Sequence, residues 1–168
     1  LVFAKGSVHA RLISPANPRA LYFNDEVEIG YVPGAPALEI AAVDPAKGAV
    51  FYSLRQEAAG PPRLEREESC LLCHASVNSL NVPGHLVRSF LTDPQGNPTR
   101  GHSRVDHDTP FRQRWGGWYV TGDFGGMPHQ GNLASAVALN EYERNPDAPG
   151  QAVYLKKLLD KENPDKYP

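Results

Sequence analysis

Residues 69–76 read SCLLCHAS and contain both cysteines of this 168-residue chain, Cys70 and Cys73, with His74 directly after the second. Side chains at i, i+3 and i+4 share one face of a helix, so a helical turn here would present two thiols and an imidazole together. C-x-x-C-H at this spacing is the attachment signature of a covalently bound haem. Two thiols one helical turn apart can add to the two vinyl groups along one side of a porphyrin. The imidazole of the next residue then comes up under the iron as an axial ligand.

Three other uses of the same residues compete. A structural zinc site could join Cys70 and Cys73 to His102 and His107, an H-x4-H pair. The 28 residues between Cys73 and His102 are more than the gap of about 12–15 in a zinc finger. A thioredoxin-type dithiol would need a strand running into the motif from a βαβ unit, and the residues before Cys70 do not supply one. An unmodified pair of buried thiols is the third.

Through Cys70, Cys73 and His74 the chain resembles the c-type cytochromes. The resemblance implies that Cys70 and Cys73 are thioether anchors for a single haem c, with His74 as the proximal iron ligand. It also implies assembly outside the cytoplasm, and hence a periplasmic or otherwise extracytoplasmic bacterial location. The common cytochrome class is nearly all helical and carries its motif near the N-terminus. Here roughly 60 residues of mostly strand-like sequence come first, which points to a sheet-containing haem domain. The stretches RWGGWYVTG and HQGN also resemble a family of uncharacterised bacterial C-x-x-C-H proteins, a likeness that implies no activity.

A second axial ligand would come from His9, His85, His102, His107, His129 or Met127. The segment GGMPHQGN, residues 125–132, holds two of these, and Met127 and His129 point the same way if its backbone is extended. A Met-Pro pair downstream of C-x-x-C-H resembles the distal-ligand segment of many cytochromes. The distal ligand is therefore expected to be Met127 or His129, with His107, set between two carboxylates, next in line. A thioether favours Fe(II) and raises the reduction potential, whereas a second imidazole lowers it. Arg88, Arg104, Arg112 and Arg114 could pair with haem propionates, since a guanidinium holds a carboxylate with two hydrogen bonds. Trp115, Trp118 and Tyr119 could pack on the porphyrin, with Gly116 and Gly117 permitting close approach.

The elements that must position these residues are short. Gly and Pro number 15 and 16, which breaks up helices and strands and predicts a loop-rich fold. Residues 20–23, 27–32, 37–43 and 49–54 alternate with turn signals and predict strands; their short connections favour an antiparallel meander. Residues 61–76, with two prolines at the start and Glu65, Glu67 and Glu68 following, predict a short helix ending in the motif. Residues 86–91 and 117–120 read as strands and 93–98 as a tight turn, while Asn132 is placed to cap a helix over 133–144 and 151–162 carries a second helical stripe. The expected fold class is α+β: a small antiparallel sheet in the first third, a short helix with the motif, a loop-rich middle and helices near the C-terminus.

Composition bounds the function classes. At 40% apolar and 21% charged residues the chain should fold, and 168 residues suffice for one haem-binding domain with a core of its own. A formal charge of −2 without a Lys/Arg cluster gives a nucleic-acid partner little support. No apolar run approaches the ~20 residues that span a bilayer. The DFG at 123–125 stands without the other kinase motifs and is no metal loop. Leu1 in place of Met and the linker-like KENPDKYP at the end lead us to expect a processed chain, or a module of a longer one with further domains.

These observations together predict a monohaem cytochrome domain that exchanges single electrons with redox partner proteins. A haem-based gas or redox sensor is one alternative. A haem enzyme acting on peroxide or a small nitrogen or sulfur oxide, with His107 or Arg104 as the distal group, is another.

Overall fold

A computed structural model describes residues 1–56, 59–155 and 166–168. The chain is α+β and groups into two compact units, Ala20–Leu86 and Leu1–Arg19 with Val87–Pro168.

The unit Ala20–Leu86 is built on a five-stranded antiparallel meander: β1 (Ala20–Phe23), β2 (Val27–Tyr31), β3 (Ala37–Asp44), β4 (Gly48–Arg55) and β5 (Leu64–Arg66), in that spatial order. The first four strands lie where alternation and turn residues predict them. Register follows the turns; Asp44 pairs with Gly48 and Ala37 with Arg55 across the β3–β4 hairpin. Asp44 Oδ1 accepts the Ala46 and Lys47 N–H groups at 2.8 and 2.9 Å, which fixes the hairpin turn. Val32, Ala35, Ala49, Val50 and Phe51 are buried.

The short helix expected to end in the motif is present but starts later than residue 61, because Leu64–Arg66 form β5. Leu64, Glu65 and Arg66 pair with Leu54, Ser53 and Tyr52, completing the outer edge of β4. Pairing an otherwise open strand edge outweighs the helix propensity of these residues. Helical backbone is confined to a 3₁₀ turn at Glu68–Cys70 and to α1 (Leu71–His74).

In the other unit, β6 (Arg88–Thr92) and β7 (Pro98–Arg104) form a hairpin around an Asp93 turn, and α2 spans Ala136–Arg144. The expected strand over 117–120 is a single bridge from Trp118 to Val2. Gly117, at φ +81°, lets this segment lie against Ala4. Phe3 and Tyr119 pack at 4.8 Å in the core, with the Tyr119 hydroxyl donating to the Pro15 carbonyl at 2.9 Å. The N-cap of α2 is Ser135, whose Oγ accepts from the Ala138 N–H. Asn132 instead bonds both the N–H and the carbonyl of Val120. Residues 151–154 are not helical, and most of the helix expected over 151–162 falls outside the described residues. No helix among the described residues is long and apolar enough to cross a membrane.

Candidate haem-attachment site

The motif occupies one helical turn. Cys70 is the last residue of the 3₁₀ turn, with helical backbone at φ −61° and ψ −29°, and Cys73 and His74 close α1. Cys70 is half-buried and Cys73 exposed, both as free thiols. Burial pushes the Cys70 thiol pKa up, and the nearby charges of Glu67 and Glu39 add to the shift. An attacking dithiol needs its thiolate stabilised; this environment does the reverse.

Of the three side chains, His74 has a ring nitrogen held by a backbone carbonyl. Its Nδ1 lies 2.9 Å from the Gly84 carbonyl oxygen. A carbonyl can only accept, so Nδ1 carries the proton, and in the neutral ring the lone pair sits on Nε2. That is the tautomer a metal-bound histidine adopts when its other nitrogen donates to a backbone carbonyl. The loop between the partners is closed from both ends, since the His74 carbonyl accepts from the Gly84 N–H and from Ser79 Oγ, each at 2.9 Å. The ring also meets buried Phe51 of β4, centroids 4.6 Å apart at 48°.

Apolar side chains around the motif face solvent. Leu72, inside the motif, is 83% exposed, and Leu64, Val77, Leu80 and Val82 of the same unit are also exposed. Isolated exposed apolar residues are ordinary, but five within nineteen residues of sequence around an attachment motif suit a site that takes on a large apolar group.

The residues fit a covalent haem in the chemistry of their donors. Among the described residues no three His, Cys, Asp or Glu side chains converge to hold an ion. A zinc site asks for such convergence. Haem iron does not, because the porphyrin fills four positions and the protein supplies only the axial ones. The side chain of His102, one of the two histidines of the zinc alternative, lies outside the described residues.

The other expected haem contacts, His85 apart, lie in the unit formed by Leu1–Arg19 and Val87–Pro168. His129 is buried, 4% exposed, against Phe124 at 4.5 Å and Phe111 at 6.4 Å. Its Nδ1 accepts the Gly131 N–H at 2.9 Å, which puts the ring proton on Nε2, a buried atom without a hydrogen-bond partner. Gly150 covers that edge so closely that a Cβ there would overlap the ring. Burial lowers the His129 pKa. Met127, two residues earlier, is 46% exposed. Of the two, Met127 has the accessible donor; His129 carries a proton where a ligand needs a lone pair.

His107 is a surface residue, 3.3 Å from the Asp108 carboxylate. Arg104 pairs with Asp106 at 2.9 Å, Arg112 with Asp147 at 3.5 Å, and Arg114 donates to the carbonyls of Thr109 and His107. The Arg104 bond is the main cause of a lowered Asp106 pKa. Trp115 and Trp118 meet edge to face at 6.1 Å, and Trp118 Nε1 donates to the Arg88 carbonyl. Trp115 adopts φ +72°, an uncommon conformation for a bulky residue. The close approaches at Gly116 and Gly117 are made by Phe90 and Ala4 of the same unit.

His85 is the residue after Gly84. Its own Nδ1 is 2.8 Å from Glu28 Oε1 on β2. Sequence reading passed over Gly84, Ser79 and Phe51, whose contacts with His74 involve two backbone groups, a hydroxyl and a ring with no motif spacing. No protein family, curated protein or solved structure matches this chain.

Proposed function

We propose that Cys70, Cys73 and His74 hold one covalently attached haem c and that the chain is a monohaem cytochrome domain carrying single electrons between redox partner proteins. The observation that carries this reading is the hydrogen bond from His74 Nδ1 to Gly84, which leaves Nε2 as the ligating nitrogen. When bound, the haem supplies a one-electron couple. Cys70 and Cys73 anchor it and His74 provides the proximal ligand in a fixed orientation, with the distal ligand the one expected from the sequence, Met127 or His129.

The carrier reading is favoured over the enzyme because His107 and Arg104, the groups an enzyme would use, are engaged with neighbouring carboxylates at the surface. A carrier needs only ligands that stay in place as the iron changes valence. The location proposed with it, which the resemblance implies for a thioether-bound haem, is the periplasm or another extracytoplasmic space.

The test is the mass of the chain after production in a host that assembles c-type haem. A denatured chain heavier by one haem supports the reading. A chain of unmodified mass whose colour is lost on denaturation, or that never takes up haem, overturns it.

A further inference from the structure

We propose that the β3–β4 hairpin turn, through Gly48 and Ala49, is the positioning element for His74. It fixes the Pro83–Gly84 peptide and with it the hydrogen bond that orients the imidazole. The proposal rests on the reading of His74 as an iron ligand and deepens it.

Gly48 stands at φ +78°, and a Cβ there would fall inside the contact distance of the Pro83 carbonyl oxygen. The next residue, Ala49, donates its N–H to that same oxygen at 3.0 Å. One peptide further on, the Gly84 carbonyl accepts His74 Nδ1–H. The turn therefore holds one carbonyl and the adjacent carbonyl holds the ring. β4 acts twice, because Phe51, two residues beyond Ala49, packs against the imidazole at a tilt. A side chain at position 48 would push Pro83 away and draw Gly84 from Nδ1.

A hydrogen bond from the far nitrogen of a ligating histidine raises its basicity and fixes its tautomer. A more basic ligand stabilises Fe(III), so loosening this bond should move the reduction potential upward. Gly34 gives a control in the same sheet, since it has φ +82° in the β2–β3 turn with nothing near its would-be Cβ. Gly34→Ala carries the same backbone strain without reaching Pro83.

The experiment compares the haem-loaded wild type with Gly48→Ala and Gly34→Ala, reading the midpoint potential and the exchange of the His74 Nδ1 proton by ¹⁵N NMR of the reduced protein. Gly48→Ala should shift the reduction equilibrium on the order of tenfold toward Fe(II), about 59 mV, with faster Nδ1–H exchange, while Gly34→Ala stays near wild type. Should Gly48→Ala fail to fold, Asp44 decides. Asp44→Ala removes the acceptor that shapes the turn, Asp44→Asn keeps it, and both delete the same charge. The alanine variant alone should show the upward shift. Equal potentials and exchange rates within each pair, in proteins that hold haem, overturn the positioning role and leave the haem reading standing. A wild type without covalent haem overturns both.

Discussion

The Nδ1 atom of His74 and the carbonyl oxygen of Gly84 lie 2.9 Å apart, ten residues distant in sequence. This bond fixes which nitrogen of the C-x-x-C-H histidine carries the proton, and in the neutral ring it puts the lone pair on Nε2. Because Gly84 contributes only its backbone, and a Cβ there would meet nothing closer than 3.6 Å, Gly84→Ala should leave the haem spectrum and potential unchanged. A shift in either would show that the loop does not bind His74 through its main chain.

Covalent attachment should depend on both thiols. Cys70→Ala and Cys73→Ala together should give a chain whose haem, if bound at all, is extracted by acidified organic solvent. Each single variant should retain one thioether, and the alkaline pyridine spectrum of the reduced haem should move to longer wavelength with each vinyl group restored.

Met127 and His129 should separate cleanly when each is changed to alanine. His129→Ala deletes a buried ring packed on Phe124 and Gly150 and should cost roughly 2–4 kcal/mol in denaturant unfolding. Half-exposed Met127 should cost under about 1 kcal/mol, yet its loss should open the iron to carbon monoxide. A stable His129→Ala protein that gains CO binding would assign the distal ligand the other way.

Gly117→Ala combines φ +81° with overlap on Ala4, so it should destabilise by about 2–4 kcal/mol. Gly122, at φ +125° with open space around it, should lose only about 1–2 kcal/mol on the same change. Chemical denaturation of the two variants checks the difference.

Acid should weaken the β6–β7 hairpin through Asp93. Its carboxylate accepts from Asn97 Nδ2, which chiefly lowers its pKa, and from the N–H groups of Gln95 and Asn97. A pKa depressed in the folded state means the unfolded chain binds the proton more readily. The contribution is therefore present above the unfolded value of ~3.9 and is lost as pH falls through the lower folded pKa. Asp93→Asn should flatten stability against pH in that acid range and leave the slope above pH 5 unchanged.

How much of this was legible in the sequence depended on what each contact is made of. β1 to β4 announce themselves because short runs with β-type residues are separated by turn residues such as Asp44 and Gly48. β5 does not, because Leu64, Glu65 and Arg66 are good helix formers and become a strand only by pairing with β4. β7 is polar and lacks alternation; it follows from the Asp93 turn and its pairing with β6. The start of α2 moved from Asn132 to Ser135 since both side chains can cap, and Asn132 is taken by Val120. The helical turn bearing Cys70, Cys73 and His74 was legible from spacing. Its support from Gly84, Gly48 and Ala49 was not, because backbone carbonyls and N–H groups leave no side-chain signature.

The most direct test is the visible absorption spectrum of the purified protein, oxidised and dithionite-reduced, with and without carbon monoxide. The account predicts a Soret band and sharp α and β bands on reduction that CO leaves in place, and a weak oxidised band near ~695 nm would assign the distal ligand to Met127 over His129. Absence of any Soret band from protein made where c-type haem is assembled would contradict it. A Soret band shifted by CO would keep the haem but contradict the electron carrier.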